Sequence, residues 1–222
     1  MAGGAGRAGR AVAIRARTLV VLAAGGLVGE VVQIWKPKEL NTFETEWGFS
    51  CMGYEISGAL GIKMAKPNQD VIVFVGDGSY LLNNSDIYSS VIYDKKLIIV
   101  VCDNGGHMVI NRLQLAKGGK EYLCNLKATG AKNLQFVDFE SHAKSMGANA
   151  ETVKSTSELE AAFKRAKASN KTYVISIKTH GYEWLDGTAF WESPTLEVHS
   201  TEENKKAYDE FLEGKNNQRK GV

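Results

Sequence analysis

The sequence predicts an α/β fold: an open, mostly parallel sheet with helices on both faces. Three observations predict it. The apolar run Val71-Ile72-Val73-Phe74-Val75 stops at Gly76-Asp77-Gly78-Ser79. A second run, Leu97 to Val101, stops at Asp103-Asn104-Gly105-Gly106. β-Branched runs that end in an oxygen-bearing side chain and glycine are how the carboxyl edge of a buried parallel sheet presents ligands. Third, the interval between Asp77 and Asn104 holds one helix and one strand, so a right-handed crossover brings carboxylate and amide to the same edge. There a hard cation such as Mg²⁺ finds oxygen ligands, and glycines let the backbone approach a phosphate.

The elements follow in order. Leu19 to Leu22 reads as a first strand, with Gly25-Gly26 as the turn after it. Cys51 to Ala65 reads as a helix with Met52, Ile56, Leu60 and Met64 on one face. Its glycines, Gly53, Gly58 and Gly61, imply close packing on a sheet or ligand, and Lys66-Pro67-Asn68 ends it. Strand 71–75, a helix from Asn83 to Tyr93 and strand 97–102 come next. Gly105 to Gly119 has no clear period, and Gly118-Gly119 marks a loop. Phe139 to Met146 reads as a helix ending at Gly147. Ser157 and Glu160 form a capping box for a helix to Lys167, striped by Leu159, Ala162, Phe163 and Ala166. Tyr173 to Ile177 is the last strand. After Thr179 the βα rhythm is lost and the chain turns aromatic, with Tyr182, Trp184, Phe190 and Trp191. No repeat or long linker divides it, and alternating βα units argue for one sheet.

The motif Gly76-Asp77-Gly78, with Asn104 at that interval, resembles the cofactor motif of the thiamine-diphosphate-dependent enzymes. The resemblance implies that Asp77 and Asn104 bind Mg²⁺ through their side chains and Gly106 through its carbonyl oxygen. It implies that Gly78 and Ser79 hydrogen-bond the diphosphate, with Gly76 and Asn104 also among the cofactor-binding residues. Backbone groups of Ser50, Cys51 and Met52 would meet the aminopyrimidine. Met52 reads either as a core methionine or as the bulky residue that supports the bent cofactor.

The stretch Glu46-Trp47-Gly48-Phe49-Ser50-Cys51-Met52-Gly53-Tyr54-Glu55-Ile56 is similar to a segment of the trihydroxycyclohexane-dione hydrolases of inositol catabolism. So are Ile110-Asn111-Arg112-Leu113-Gln114 and Thr18 to Trp35, and the similarity runs from about Thr18 to Val198. Acetolactate synthases carry a Gly-Phe-Gly-Leu-Pro type of sequence where this chain has Gly53-Tyr54-Glu55-Ile56-Ser57. The resemblance implies hydrolysis of a carbon–carbon bond in a cyclic 1,2-dione. The alternatives are an acetolactate-synthase-like carboligase or decarboxylase, or a truncated cofactor-binding module without turnover.

In the resembling enzymes a glutamate from a separate pyrimidine-binding domain activates the cofactor. The stretch before Thr18 is too short to hold that domain, so the chain is expected to be an incomplete portion that works with such a domain of the same or another subunit in a homo-oligomer. The expected division is 1–17 as a disordered or mis-started N-terminus, 18–180 as the thiamine-diphosphate domain, and 181–222 as an aromatic segment and charged tail. No catalytic residue is assigned. His107 and Glu55 are the candidates, against a loop histidine and a carboxylate complementing the helix dipole at a solvated end. His180 stands at the active edge, whereas His142 and His199 are expected to be solvated. Met108 stands where the family carries glycine, so a side chain there would crowd the loop.

Composition sets the outer limits. A chain of 222 residues with 44% hydrophobic and 23% charged residues forms an ordinary globular core. A formal net charge of +2 gives no argument for nucleic acid or an anionic membrane as partner. The cysteines at 51, 102 and 124 have no metal-ligand spacing, and an odd count argues against a secreted disulfide framework. Cys102 reads as a small core residue. No apolar stretch reaches the ~18 residues of a membrane span, so a cytoplasmic protein acting on a small molecule is expected. Met1 to Arg17 is rich in Gly, Ala and Arg and has no acidic residue, which fits a transit peptide only loosely.

Overall fold

The computed structural model describes residues 18–185 and 195–218. The expectations for 1–17 and for Phe190 and Trp191 lie outside them. Among the described residues six strands form one parallel sheet: β1 Thr18–Leu22, β2 Phe43–Thr45, β3 Asp70–Gly76, β4 Ile98–Asp103, β5 Asn149–Val153 and β6 Tyr173–Lys178. Their spatial order is β2-β1-β3-β4-β6-β5. The expected fold class is therefore observed. Among the described residues no helix is long and apolar enough to cross a membrane.

The helices are α1 Gly26–Ile34, α2 Tyr54–Ala65, α3 Asp77–Leu82, α4 Ser85–Ile92, α5 Met108–Ala116, α6 Phe139–Ser145, α7 Thr156–Ala168 and α8 Glu202–Asn217. Alternate strand residues feed two cores, because successive side chains point to opposite faces. Leu19, Val21, Val73, Ile99 and Val101 pack with Ile56 of α2, Ile87 of α4 and Phe139 of α6. Val20, Leu22, Ile72, Ile98 and Ile175 pack with Val28 of α1 and Ala162 and Phe163 of α7. A central strand buried on both faces must be apolar throughout, which is why β3 and β4 read as unbroken runs.

The chain leaves β1 toward β2 on one side and leaves β3 toward β4 on the other. The strand order thus reverses between β1 and β3, and such a switch point opens a crevice at the carboxyl edge. The β3–β4 register sets Gly76 opposite Cys102. Asp77 and Asn104 therefore leave the sheet side by side.

Several local expectations are corrected. The helix read from Cys51 starts at Tyr54, because Gly53 is at φ +94° and Ser50 at φ +52°. The helix expected over Asn83 to Tyr93 is present as α4, and a separate short helix, α3, precedes it, the two parted at Asn83-Asn84. The cap of α7 is Ser155, whose hydroxyl accepts from Glu158 N at 3.2 Å, and not Ser157. The ambiguous stretch after Gly105 contains α5, and the tail contains α8. Asn204 of α8 donates to Lys117 O at 3.1 Å, at the end of α5. His142 and His199 are half-buried: His142 Nδ1 pairs with Tyr80 OH at 2.9 Å, and His199 packs on the Tyr208 ring.

The two serines make a direct test of the helix start. Ser155→Ala should lower unfolding free energy by about 1 kcal/mol, while Ser157→Ala should stay within about 0.5 kcal/mol of the parent. Urea unfolding measures both.

Candidate metal and anion site

Asp77 opens α3 directly after β3 and is 4% exposed. Its Oδ2 accepts from Gly106 N at 2.7 Å, so the loops after β3 and β4 are joined through one hydrogen bond. The Asn104 side-chain amide lies over the same point. One of its two terminal atoms is 2.8 Å from Gly106 O and 3.2 Å from Asp77 Oδ1. With nitrogen turned inward it donates to both. With oxygen inward, three oxygens from three residues converge, which is favourable only around a cation.

An octahedral Mg²⁺ with ligands at 2.0–2.1 Å sets adjacent oxygens about 2.9 Å apart. The spacings around Asn104 match that edge length, and the set of carboxylate, amide and carbonyl suits a hard cation. Among the described residues no group of three His, Cys, Asp or Glu side chains could hold a metal. Burial holds the Asp77 carboxyl above the usual range, and the Asp103 charge adds to this against N–H donors from Gly106 and Asn104. A cation would offset both the burial and the Asp103 charge.

Glycine is required at 106. Its φ is +139°, and a Cβ there would stand 2.4 Å from Cys124 O. Asp103 is occupied elsewhere: it pairs with Lys178 Nζ, and its Oδ1 accepts from Gly105 N at 3.1 Å.

Glu55, expected at a solvated end, is buried at 1% exposure. Its two oxygens accept the Ser79 hydroxyl at 2.7 and 2.8 Å, Oε2 accepts Gly53 N at 2.9 Å, and Oε1 accepts Ala24 N at 3.4 Å. A buried carboxylate is tolerated where its lone pairs are filled. Glu55 thus ties together the ends of β1, α2 and α3, and the Ser79 hydroxyl is committed to it.

Met52, Gly78 and His107 are brought together. A Cβ on Gly78 would lie 2.7 Å from the His107 ring and 3.5 Å from Met52 Cε. Met52 is 38% exposed and lies in the loop before α2, not in a helix. Glu46 shapes that loop by accepting Phe49 N at 2.9 Å and Cys51 N at 2.5 Å. Those N–H groups, Cys51 first, hold the Glu46 carboxyl below its usual range.

Beside the oxygen triangle lies a cavity of about 330 Å³ lined by Gly26, Glu30, Gly76, Asn104, Arg112 and His180, among others. The N-terminus of α1 opens on it with Gly25 at φ +85°. Free N–H groups at a helix start favour an anion. Arg112 stacks over Trp184 at 4.6 Å. Cys102 also lines the cavity; burial, then the Glu30 and Asp77 charges, push its thiol up to about 12. Met108, where crowding was expected, is 5% exposed, and its Cε lies 2.7 Å from a Cβ built on Gly181.

Sequence reasoning missed α1 and Glu46 as parts of the site. Gly25-Gly26 directly after a strand was the available signal for α1. Glu46 was signalled only by its position just before the loop.

The family model described as "Thiamine pyrophosphate enzyme, C-terminal TPP binding domain" matches residues 23–177. The 3D-(3,5/4)-trihydroxycyclohexane-1,2-dione hydrolase of Halalkalibacterium halodurans is 37% identical over 194 residues, covering 86% of this chain and 30% of that protein. Those of Lacticaseibacillus casei and Bacillus subtilis are 36% and 34% identical, covering 89% and 86% of this chain and 31% and 30% of theirs. The chain thus spans about 30% of the length of the relatives it matches. A solved thiamine diphosphate-dependent 4-hydroxybenzoylformate decarboxylase from Rhodococcus jostii RHA1 matches with a TM-score of 0.53 at 21% identity, over 63% of this chain and 25% of that one. At that identity it supports the fold alone.

Glu55→Ala should strip the acceptor from the buried Ser79 hydroxyl, leave Gly53 N–H with Ser79 Oγ alone and lower stability by about 2–4 kcal/mol. Glu55→Gln, which keeps one acceptor, should lose less than half of that. Urea unfolding ranks the two; equal losses would contradict the hydrogen-bond account.

Proposed function

The chain belongs to the thiamine pyrophosphate enzymes, through their C-terminal cofactor-binding domain, and we propose that it is the diphosphate-holding portion of a cyclic 1,2-dione hydrolase. The observation that carries the reading is the convergence of the Asp77 carboxylate, the Asn104 side-chain amide and the Gly106 carbonyl at the carboxyl edge. Relatives named for the dione hydrolysis support the substrate.

In this reading residues 18–180 are the cofactor-binding unit, and Asp77, Asn104 and Gly106 hold Mg²⁺ against the diphosphate. The N–H groups of Gly78 and Ser79 meet the diphosphate beside Gly76. The start of α1 adds further donors. Met52 supports the cofactor ring, and the backbone of Ser50 and Cys51 meets the aminopyrimidine. When bound, thiamine diphosphate supplies the nucleophilic carbon and electron sink for carbon–carbon cleavage. His107 stands beside Gly78, with its ring against the start of α3. Glu55 has its oxygens filled and acts by fixing the loops. The activating carboxylate comes from a pyrimidine-binding domain of the same or another subunit.

Calorimetric titration with thiamine diphosphate and Mg²⁺ tests the metal site. Asp77→Ala should weaken binding more than tenfold, ~1.4 kcal/mol or more; equal affinities would overturn the assignment. Turnover on the dione and on pyruvate, with and without an added pyrimidine-binding domain, tests the activity. Dione hydrolysis should rise by about 10²–10⁴-fold with that domain. Preference for pyruvate would overturn the substrate.

A further inference from the structure

We propose that Glu121 is a positioning residue: it aims the Gly106 carbonyl and thereby sets the preference of the site for Mg²⁺ over larger cations. The inference rests on the metal reading above and adds a residue that lies outside the motif.

One oxygen of Glu121, Oε1, accepts three hydrogen bonds from three separate segments. Asn111 Nδ2 of α5 donates at 2.9 Å, Asn125 Nδ2 at 3.2 Å, and Tyr182 OH, beyond β6, at 2.5 Å. Asn125 Nδ2 also donates to Tyr182 OH at 2.8 Å, closing the network on itself. Asn111 is 1% exposed and Asn125 5% exposed. The Tyr182 hydroxyl, then Asn111 and Asn125, hold the Glu121 carboxyl below its usual range.

Asn125 is also the middle of a rail on which the metal loop rests. It forms an antiparallel bridge with Gly106. Leu126 N donates to Gly105 O at 3.0 Å, and His107 N donates to Cys124 O at 2.8 Å. Gly106 lies so close to Cys124 O that no Cβ fits between them. The direction of the Gly106 carbonyl therefore follows the position of residues 124–126. That rail is short, and beyond these contacts its side-chain anchors run through Asn125 to Glu121 and Tyr182. The carboxylate is the hub that fixes it to α5 and to the segment after β6.

Outer-shell partners of this kind fix the geometry of metal ligands, and their loss typically reduces metal affinity 10–100-fold. Mg²⁺ demands near-ideal octahedral geometry, whereas Ca²⁺ accepts longer and more variable bonds. A carbonyl that has lost its aim should thus hurt Mg²⁺ more than Ca²⁺. General loosening of the fold would hurt both alike.

The test titrates thiamine diphosphate into the full chain with Mg²⁺ or with Ca²⁺, for the parent, Glu121→Ala and Tyr182→Phe. Glu121→Ala, which removes the shared acceptor oxygen, should lose about 10–100-fold in affinity with Mg²⁺ and less than about threefold with Ca²⁺. Tyr182→Phe, which removes one donor at an exposed side chain, should shift selectivity in the same direction by less. It keeps the proposal testable should Glu121→Ala fold poorly. Equal losses with both metals, or none with either, would overturn the role of Glu121. Absence of Mg²⁺-dependent binding in the parent would instead overturn the metal reading itself.

Discussion

The structure depends on the parallel register of β3 and β4. With Gly76 opposite Cys102, Asp77 and Asn104 leave the sheet at one level, and a single hydrogen bond from Gly106 N to Asp77 Oδ2 joins their loops. A register slip of one residue would turn both runs over and send their ligands apart. The two apolar cores make that slip costly, because β3 and β4 are buried on both faces.

Three carboxylates are buried at this edge, and each is handled differently. Glu55 has its oxygens filled by a hydroxyl and backbone N–H groups from three loops. Asp103 faces Lys178. Asp77 accepts backbone N–H donors, while desolvation and the Asp103 charge both work against its ionised form. A divalent cation at the oxygen triangle would resolve that imbalance. The Glu55 network ties the loop after β3 to β1 and α2, and the Glu121 network holds the segment on which the loop after β4 rests.

What the sequence revealed follows from burial. The runs of β3 and β4 were legible because strands covered on both faces must be apolar throughout, and the ligands at their ends were legible as motifs. The edge strands were not: β2 has three residues, and β5 reads Asn149-Ala150-Glu151-Thr152-Val153, half facing solvent. The start of α2 was misplaced because Met52 falls in step with Ile56 and Leu60, although Gly53 in the left-handed region stops the helix there. Ser157 imitated a cap two residues after the real one. Glu55 was misread because its partners, Ala24 and Ser79, lie in other segments of the chain. Glu121 was invisible for the same reason, since Asn111, Asn125 and Tyr182 become neighbours only on folding.

The most direct measurement is a crystal structure of the chain grown with thiamine diphosphate and Mn²⁺, a Mg²⁺ substitute visible by anomalous scattering. The account predicts one metal peak bonded to Asp77 Oδ1, Asn104 Oδ1 and Gly106 O, with the diphosphate completing its shell against the starts of α1 and α3. A metal peak bonded elsewhere, or an ordered diphosphate with Asn104 still donating to Gly106 O, would contradict it.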